Sequence, residues 1–193
     1  MTTDTANALD AQLPHFDAGT IQRTVVYATP QRTYDAIWSA DLLHAPLARM
    51  LTRASIAIEC AGARFRGTSV PPHVPRSARL RDMLGADSPW LLLADEPGRE
   101  VVLGLLWTPP AGGHTCPADE FAEYLAPGLA KVVWSISVHP FGAGHTLLAT
   151  ETRTFATDAL AKRRFGLLWP LIAPFAALMR SQVLLAIKRE AEA

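Results

Sequence analysis

Cysteine is scarce, with two in 193 residues. Cys60 and Cys116 lie far apart with no CxxC spacing, which excludes a disulfide framework and a cysteine-rich zinc site and leaves two free thiols in a reducing compartment. Net charge is also missing. Lys plus Arg balances Asp plus Glu, 18 against 18, so no overall positive field draws in nucleic acid or an acidic membrane, and no nucleic-acid partner is expected. None of His15, His44, His73, His114, His139 and His145 pairs with another at HxxxH spacing. His139 and His145 flank one turn, where solvated histidines are the ordinary case, and neither a metal nor a cofactor is expected. A GxSxG motif is absent, and neither cysteine has a recognisable histidine arrangement, so no catalytic residue is assigned. The opening "MTTDTANALDAQLPHF" lacks the basic start and apolar core of a secretory signal, so the expected location is the cytoplasm. Its polar makeup reads as a loosely ordered lead-in over 1–17, ahead of a single domain over 18–193.

A long uncharged run is present near the end. From Phe165 to Met179 there is no charged residue. A membrane span needs roughly 20 apolar residues in sequence, and this run meets Arg180, Ser181 and Gln182 after containing Pro170 and Pro174, so no transmembrane span is expected. Large apolar residues recur at Leu168, Ile172, Phe175, Met179, Val183 and Ile187, in steps of three or four that trace one face of a long helix. Beyond Arg180 the other face is polar. Asp158 suits the N-cap, and Lys188 and Arg189 suit the negative end of the helix dipole. Lys162, Arg163 and Arg164 lie near the positive end, where with Trp169 they would allow transient contact with acidic lipid or form a solvated helix start. The two prolines predict a bend, or a break into two helices.

Upstream the pattern alternates. A first strand is predicted over 20–28, followed by Pro30 at the first turn of a helix. "PQRTYDAIWSADLLHAPLARML" reads as one or two short helices, with Pro46 marking a second start. A weaker strand over 55–65, "SIAIECAGARF", leads into a proline-rich irregular stretch over 67–83. "PWLLLAD" and "REVVLGLLW" form one predicted hairpin, and "AKVVWSISV" and "TLLATETRTF" another. Between them lies a loop with a short helix expected over 119–125. The order predicts an α+β arrangement with helices on one face of an antiparallel sheet.

This order, with "TVVYATPQRTYDAIWSADL" near the start and "LLATETRTFATDALAKRRFGLLWPLIAPFAALMRSQVLLAIKREAE" at the end, resembles the START-like, or SRPBCC, superfamily from about residue 18 onward. The resemblance implies a helix-grip fold, in which a bent antiparallel sheet wraps a long C-terminal helix, two short helices follow the first strand, and a hydrophobic cavity lies between sheet and helix. Superfamily members include lipid-transfer proteins, polyketide cyclases and chaperone activators, so the likeness speaks to fold more than to function. The "AGGH" at 111–114 lacks the full glycine-rich loop of the plant members, and no phosphate site is inferred from it.

With the last hairpin turning around Phe141 and Gly142, Val138 would face Thr146, Ile136 Leu148, Trp134 Thr150, and Val132 Thr152. A slip of one residue would exchange the two faces. The expected ligand-binding wall is Trp107, Val132, Trp134, Ile136, Leu148, Thr150 and Thr152 from the sheet, and Leu168, Trp169, Ile172, Phe175 and Met179 from the helix. Lys131, Val133, Ser135, Ala149, Glu151 and Arg153 would face solvent. Such a cavity suits a hydrophobic small molecule, lipid-like or aromatic, held by a non-enzymatic carrier. The alternatives are a polyketide cyclase-like enzyme in the same cavity, with Glu59, Asp82, Glu151 or Arg153 moving protons if buried, and an interaction module with a filled core. Ligand identity and oligomeric state are not encoded in any recognisable pattern.

Overall fold

The computed structural model describes residues 8–45, 47–50, 52, 53, 56, 57, 60, 77–85, 88–108 and 112–193. It is an α+β fold, with a six-stranded antiparallel sheet packed against one long helix. A short helix α1 (Ala8–Gln12) leads to β1 (Ala18–Val26), α2 (Pro30–Ser39), β2 (Trp90–Glu96), β3 (Glu100–Thr108), β4 (Gly112–His114), β5 (Ala130–Phe141), β6 (His145–Ala156) and α3 (Ala159–Glu192). The sheet order is β1-β6-β5-β3-β2, with β4 pairing the end of β3. As expected, α2 starts at Pro30, and the Thr29 side chain accepts from the Arg32 N–H to cap it. The expected weak strand over 55–65 does not form where the chain is described, since Ile56, Ala57 and Cys60 are helical. Pro46, Glu59 and residues 61–76 lie outside the described residues. The helix expected over 119–125 shrinks to a 3-10 turn at Phe121–Glu123.

The β5–β6 hairpin turns through residues 142–144, with Phe141 paired to His145. Gly142 and Gly144 take φ of 65° and 77°, a left-handed conformation that glycine adopts without a Cβ penalty. The observed pairs are Val138 with Leu148, Ile136 with Thr150, Trp134 with Thr152 and Val132 with Thr154. This corrects the expected register by two residues, because the loop centres on Ala143 between two glycines. An even shift preserves the faces.

Helix α3 runs unbroken through Pro170 and Pro174, so of the expected bend or break the break does not occur. It is held at both ends. The Asp158 carboxylate accepts from the N–H groups of Ala161 and Gly128, each at 2.7 Å. At the far end Lys188 Nζ donates to Val25 O, and Glu192 Oε1 accepts from Tyr27 N–H at 2.7 Å. These contacts tie the two ends of the helix down, turns away from either proline.

The sheet is covered on both faces. One core joins Val26, Ile37, Val101, Leu103, Trp134, Ile136, Leu148, Val183, Leu184 and Ile187 between the sheet, α2 and the last turns of α3. A second core on the opposite face joins Leu9, Leu13, Val102, Leu106, Phe121 and Val133. The expectation that this face meets solvent is therefore corrected. Lys131 is 1% exposed, donates to Ala122 O at 2.7 Å and lies 5.1 Å from the Phe121 ring centre. Residues 8–13, read as loose lead-in, form a helical turn whose Leu9 and Leu13 are buried on that face. The reason is spacing: two leucines four residues apart present one apolar edge.

Candidate functional site

The face of the sheet beneath α3 is built in rows across the strands. Thr20 pairs Thr152, which pairs Trp134, which pairs Leu103; one row on, Gln22, Thr150, Ile136 and Val101 follow in the same order. Toward the last turns of α3 this face is closed. Trp134, Ile136, Leu148 and Thr150 are all buried there with Val183, Leu184 and Ile187. Trp134 Nε1 donates to Thr150 Oγ1 at 2.5 Å, the Thr150 hydroxyl donates to Ser135 O at 3.0 Å, and the Trp90 ring meets Trp134 edge-on at 5.8 Å. These four predicted wall residues thus fill a core, with each buried polar atom partnered.

Between Phe165 and Arg180 burial along the two surfaces is less complete. Trp107, Val132 and Thr152 on the sheet, and Leu168, Trp169, Ile172, Phe175 and Met179 on the helix, are all half-buried. Between Phe165 and Arg180 no residue of α3 is fully buried. Three aromatic rings line the upper end, Trp107 edge-on to Phe165 at 6.3 Å and Phe165 against Trp169 at 5.0 Å. The expected wall is therefore divided between buried and half-buried residues.

Val183 and Ile187 of the expected stripe are buried, but its first four positions are not. Buried positions at Arg180, Val183, Leu184, Ile187 and Ala191 mark the seam that meets the sheet, and carrying that seam backward by threes and fours reaches Ala176, Ala173 and Trp169. Leu168, Ile172, Phe175 and Met179 lie to one side of it. Arg180 thus belongs to the sheet-facing seam, although in the sequence it reads only as the charge that ends the apolar run. The missed signal was its spacing from Val183, Leu184 and Ile187. Arg180 is 7% exposed, and its Nε is enclosed without a hydrogen-bond partner. Burial lowers its pKa. Gln22 marks the strand nearest to it, donating to Ala177 O at 3.2 Å and accepting from the Ser181 hydroxyl at 3.4 Å. Thr20, two residues along that strand, has a buried hydroxyl without a partner.

The candidate proton-transfer groups do not gather here. Asp82 accepts from its own loop's Arg79 N–H at 2.7 Å, and Glu151 and Arg153 pair at 2.7 Å on the opposite face of the sheet, where Arg153 also meets Asp10 at 2.6 Å. Sequence reasoning overlooked Asp95, which accepts from the Tyr34 hydroxyl beside Trp38 Nε1, and whose carboxyl burial pushes up. His139 bonds the Ser137 hydroxyl at 3.1 Å and His114 the Thr108 hydroxyl at 2.6 Å, while His145 stacks edge-on against Tyr27. Among the described residues no group of three or more His, Cys, Asp or Glu could hold a metal. A separate cleft of about 230 Å³ opens between Asp41, His44 and Ala45 and the last turns of α3 at Leu185, Ala186, Arg189 and Glu190.

The outer side of α3 is also apolar. Leu160, Leu167, Leu171 and Leu178 are 53%, 71%, 77% and 45% exposed. Among the described residues α3 is the one helix long and apolar enough to cross a membrane by length and composition, and 22% of its most apolar window is buried.

The sequence matches no protein-family profile and no curated protein. In structure it is similar to a conserved protein from Geobacillus kaustophilus, at 12% identity and a TM-score of 0.39, over 90% of this chain and 95% of that one. CV1439 from Chromobacterium violaceum is 15% identical with a TM-score of 0.38, over 91% and 97% of the two chains. TTHA0849 from Thermus thermophilus is 10% identical with a TM-score of 0.36, over 90% and 97%. All three are bacterial proteins, and likeness at this level carries no argument about function.

Proposed function

We propose that this protein binds a hydrophobic small molecule, lipid-like or aromatic, between the sheet and the first half of α3, and carries it without chemical change. The observation that supports this reading is the contrast along one helix. Below Arg180 the apolar seam is closed against the sheet, and above it two facing apolar surfaces remain half-buried although residues as large as Trp107 and Trp169 line them. Leaving such surface open forfeits roughly 25 cal/mol for each Å², and a bound apolar molecule would recover it. The START-like resemblance of the sequence fits the same reading.

A second reading rests on the outer leucines. Leu167 and Leu171, exposed together on one side of α3, would suit an interaction module that presents this helix to another protein. Native mass spectrometry of the purified protein, followed by organic extraction of whatever is released on denaturation, separates the two. A stoichiometric apolar compound supports the carrier. An empty protein that also ignores a panel of lipids and aromatic probes overturns it.

A further inference from the structure

We propose, building on the carrier reading, that the ligand is an anionic amphiphile whose carboxylate head is held by Arg180 at the closed end of the groove. A guanidinium cannot shed its charge in the neutral range, so its burial without a counter-ion is costly. Arg180 is nine-tenths buried, on the sheet-facing seam, with no protein partner for Nε. Among the described residues no carboxylate pairs with it. Asp17 pairs Lys162, Glu192 pairs Lys188, and Glu190 meets Ser39, while Glu100 lies on the other face of the sheet.

Direction sets where the head would sit. Helical side chains lean toward their own N-terminus, so Arg180 reaches back over the turn of Ala176 and Ala177, the level at which Gln22 touches the helix. The next row of the sheet toward the open half holds Thr20, whose buried hydroxyl is the second orphaned polar group on these facing surfaces. Cation and hydroxyl are both enclosed near the level at which burial along the helix falls off. A carboxylate there can take two parallel N–H bonds from the fork, one of them from Nε, and a third from Thr20. Its apolar chain then runs along Ile172 and Trp169 toward Trp107. One negative charge matches one positive charge, which favours a carboxylate over a phosphate dianion.

The test compares dodecanoate, dodecanol and dodecyl phosphate, with binding read from tryptophan fluorescence. Dodecanoate is expected to bind roughly tenfold to a hundredfold more tightly than the alcohol, and Arg180→Met to bring that ratio to about one. Arg180→Lys keeps the charge but loses the fork, so its ratio is expected to fall between the two; this variant keeps the test open should Arg180→Met fail to fold. Equal binding of acid and alcohol by the wild-type protein overturns the head-group assignment while leaving the carrier reading standing. A ratio unchanged in both variants does the same. Tighter binding of dodecyl phosphate than of dodecanoate overturns the carboxylate assignment, and failure of all three amphiphiles to bind overturns the carrier reading with it.

Discussion

Leu9→Ala removes three carbons from a residue with no exposed surface on the covered outer face of the sheet. At roughly 0.8 kcal/mol for each buried methylene the transfer loss is about 2.4 kcal/mol, and the cavity left between Leu13 and Phe121 brings the total to about 2.5–4 kcal/mol. A chain of this size loses about 2–4 °C of Tm per kcal/mol, so the midpoint should drop by roughly 5–16 °C. The same substitution at Leu171, which is 77% exposed, should change stability by no more than about 0.5 kcal/mol. Urea unfolding of both variants, with equal m-values as the check that both unfold from comparable states, gives the comparison. A loss below about 1 kcal/mol at Leu9 would refute the argument that α1 is part of the folded core, because its burial would then contribute nothing.

Thr150→Val takes away the acceptor of Trp134 Nε1 and leaves a buried donor unpaired, so a loss of about 1–3 kcal/mol is expected in denaturant unfolding. An unchanged midpoint would mean that the indole finds another partner. Glu100 has a buried oxygen without a partner, and burial, aided by the like charge of Glu96, pushes its carboxyl up against the hydrogen bonds from Ser135 and Ala8. The stability linked to a raised carboxyl is fully present below the usual carboxylate pKa and is lost as pH rises through the folded value. Glu100→Gln should therefore stabilise the protein by about 1–2 kcal/mol at pH 7, with the gain shrinking as pH falls toward 4; a gain that grows on acidification would contradict the sign.

Much of the fold was legible because its signals are local. Pro30 after Thr29, the alternating runs around 97–99 and 142–144, and Asp158 ahead of an apolar period each specify an element within a few residues. The hairpin register was legible only in its parity, since placing the turn depended on φ at Gly142 and Gly144, which composition does not report. The outer core was illegible for a different reason. Leu9 and Leu13 form an apolar edge too short to stand out in a polar opening, and only the docked Phe121 and the paired strands reveal what it covers. In the candidate site, the sequence pattern carries no difference in burial between the two halves of the expected wall. Half-burial at Trp107 and Trp169 and full burial at Trp134 are tertiary outcomes of where α3 touches the sheet. Arg180 was misread because its charge outweighed its spacing, although a charge in the middle of an apolar seam was itself the clue.

Ala176 sits on the seam between Trp169 and Arg180, so Ala176→Trp places a large ring where the space between sheet and helix is inferred to be open. Its unfolding free energy, measured beside dodecanoate binding on the same sample, bears directly on whether that space exists. An open groove accepts the ring, and the expected cost is no more than about 0.7 kcal/mol from helix propensity, with dodecanoate binding abolished. A loss of about 1–3 kcal/mol from overpacking, or binding that survives the ring, would contradict a ligand space beneath α3.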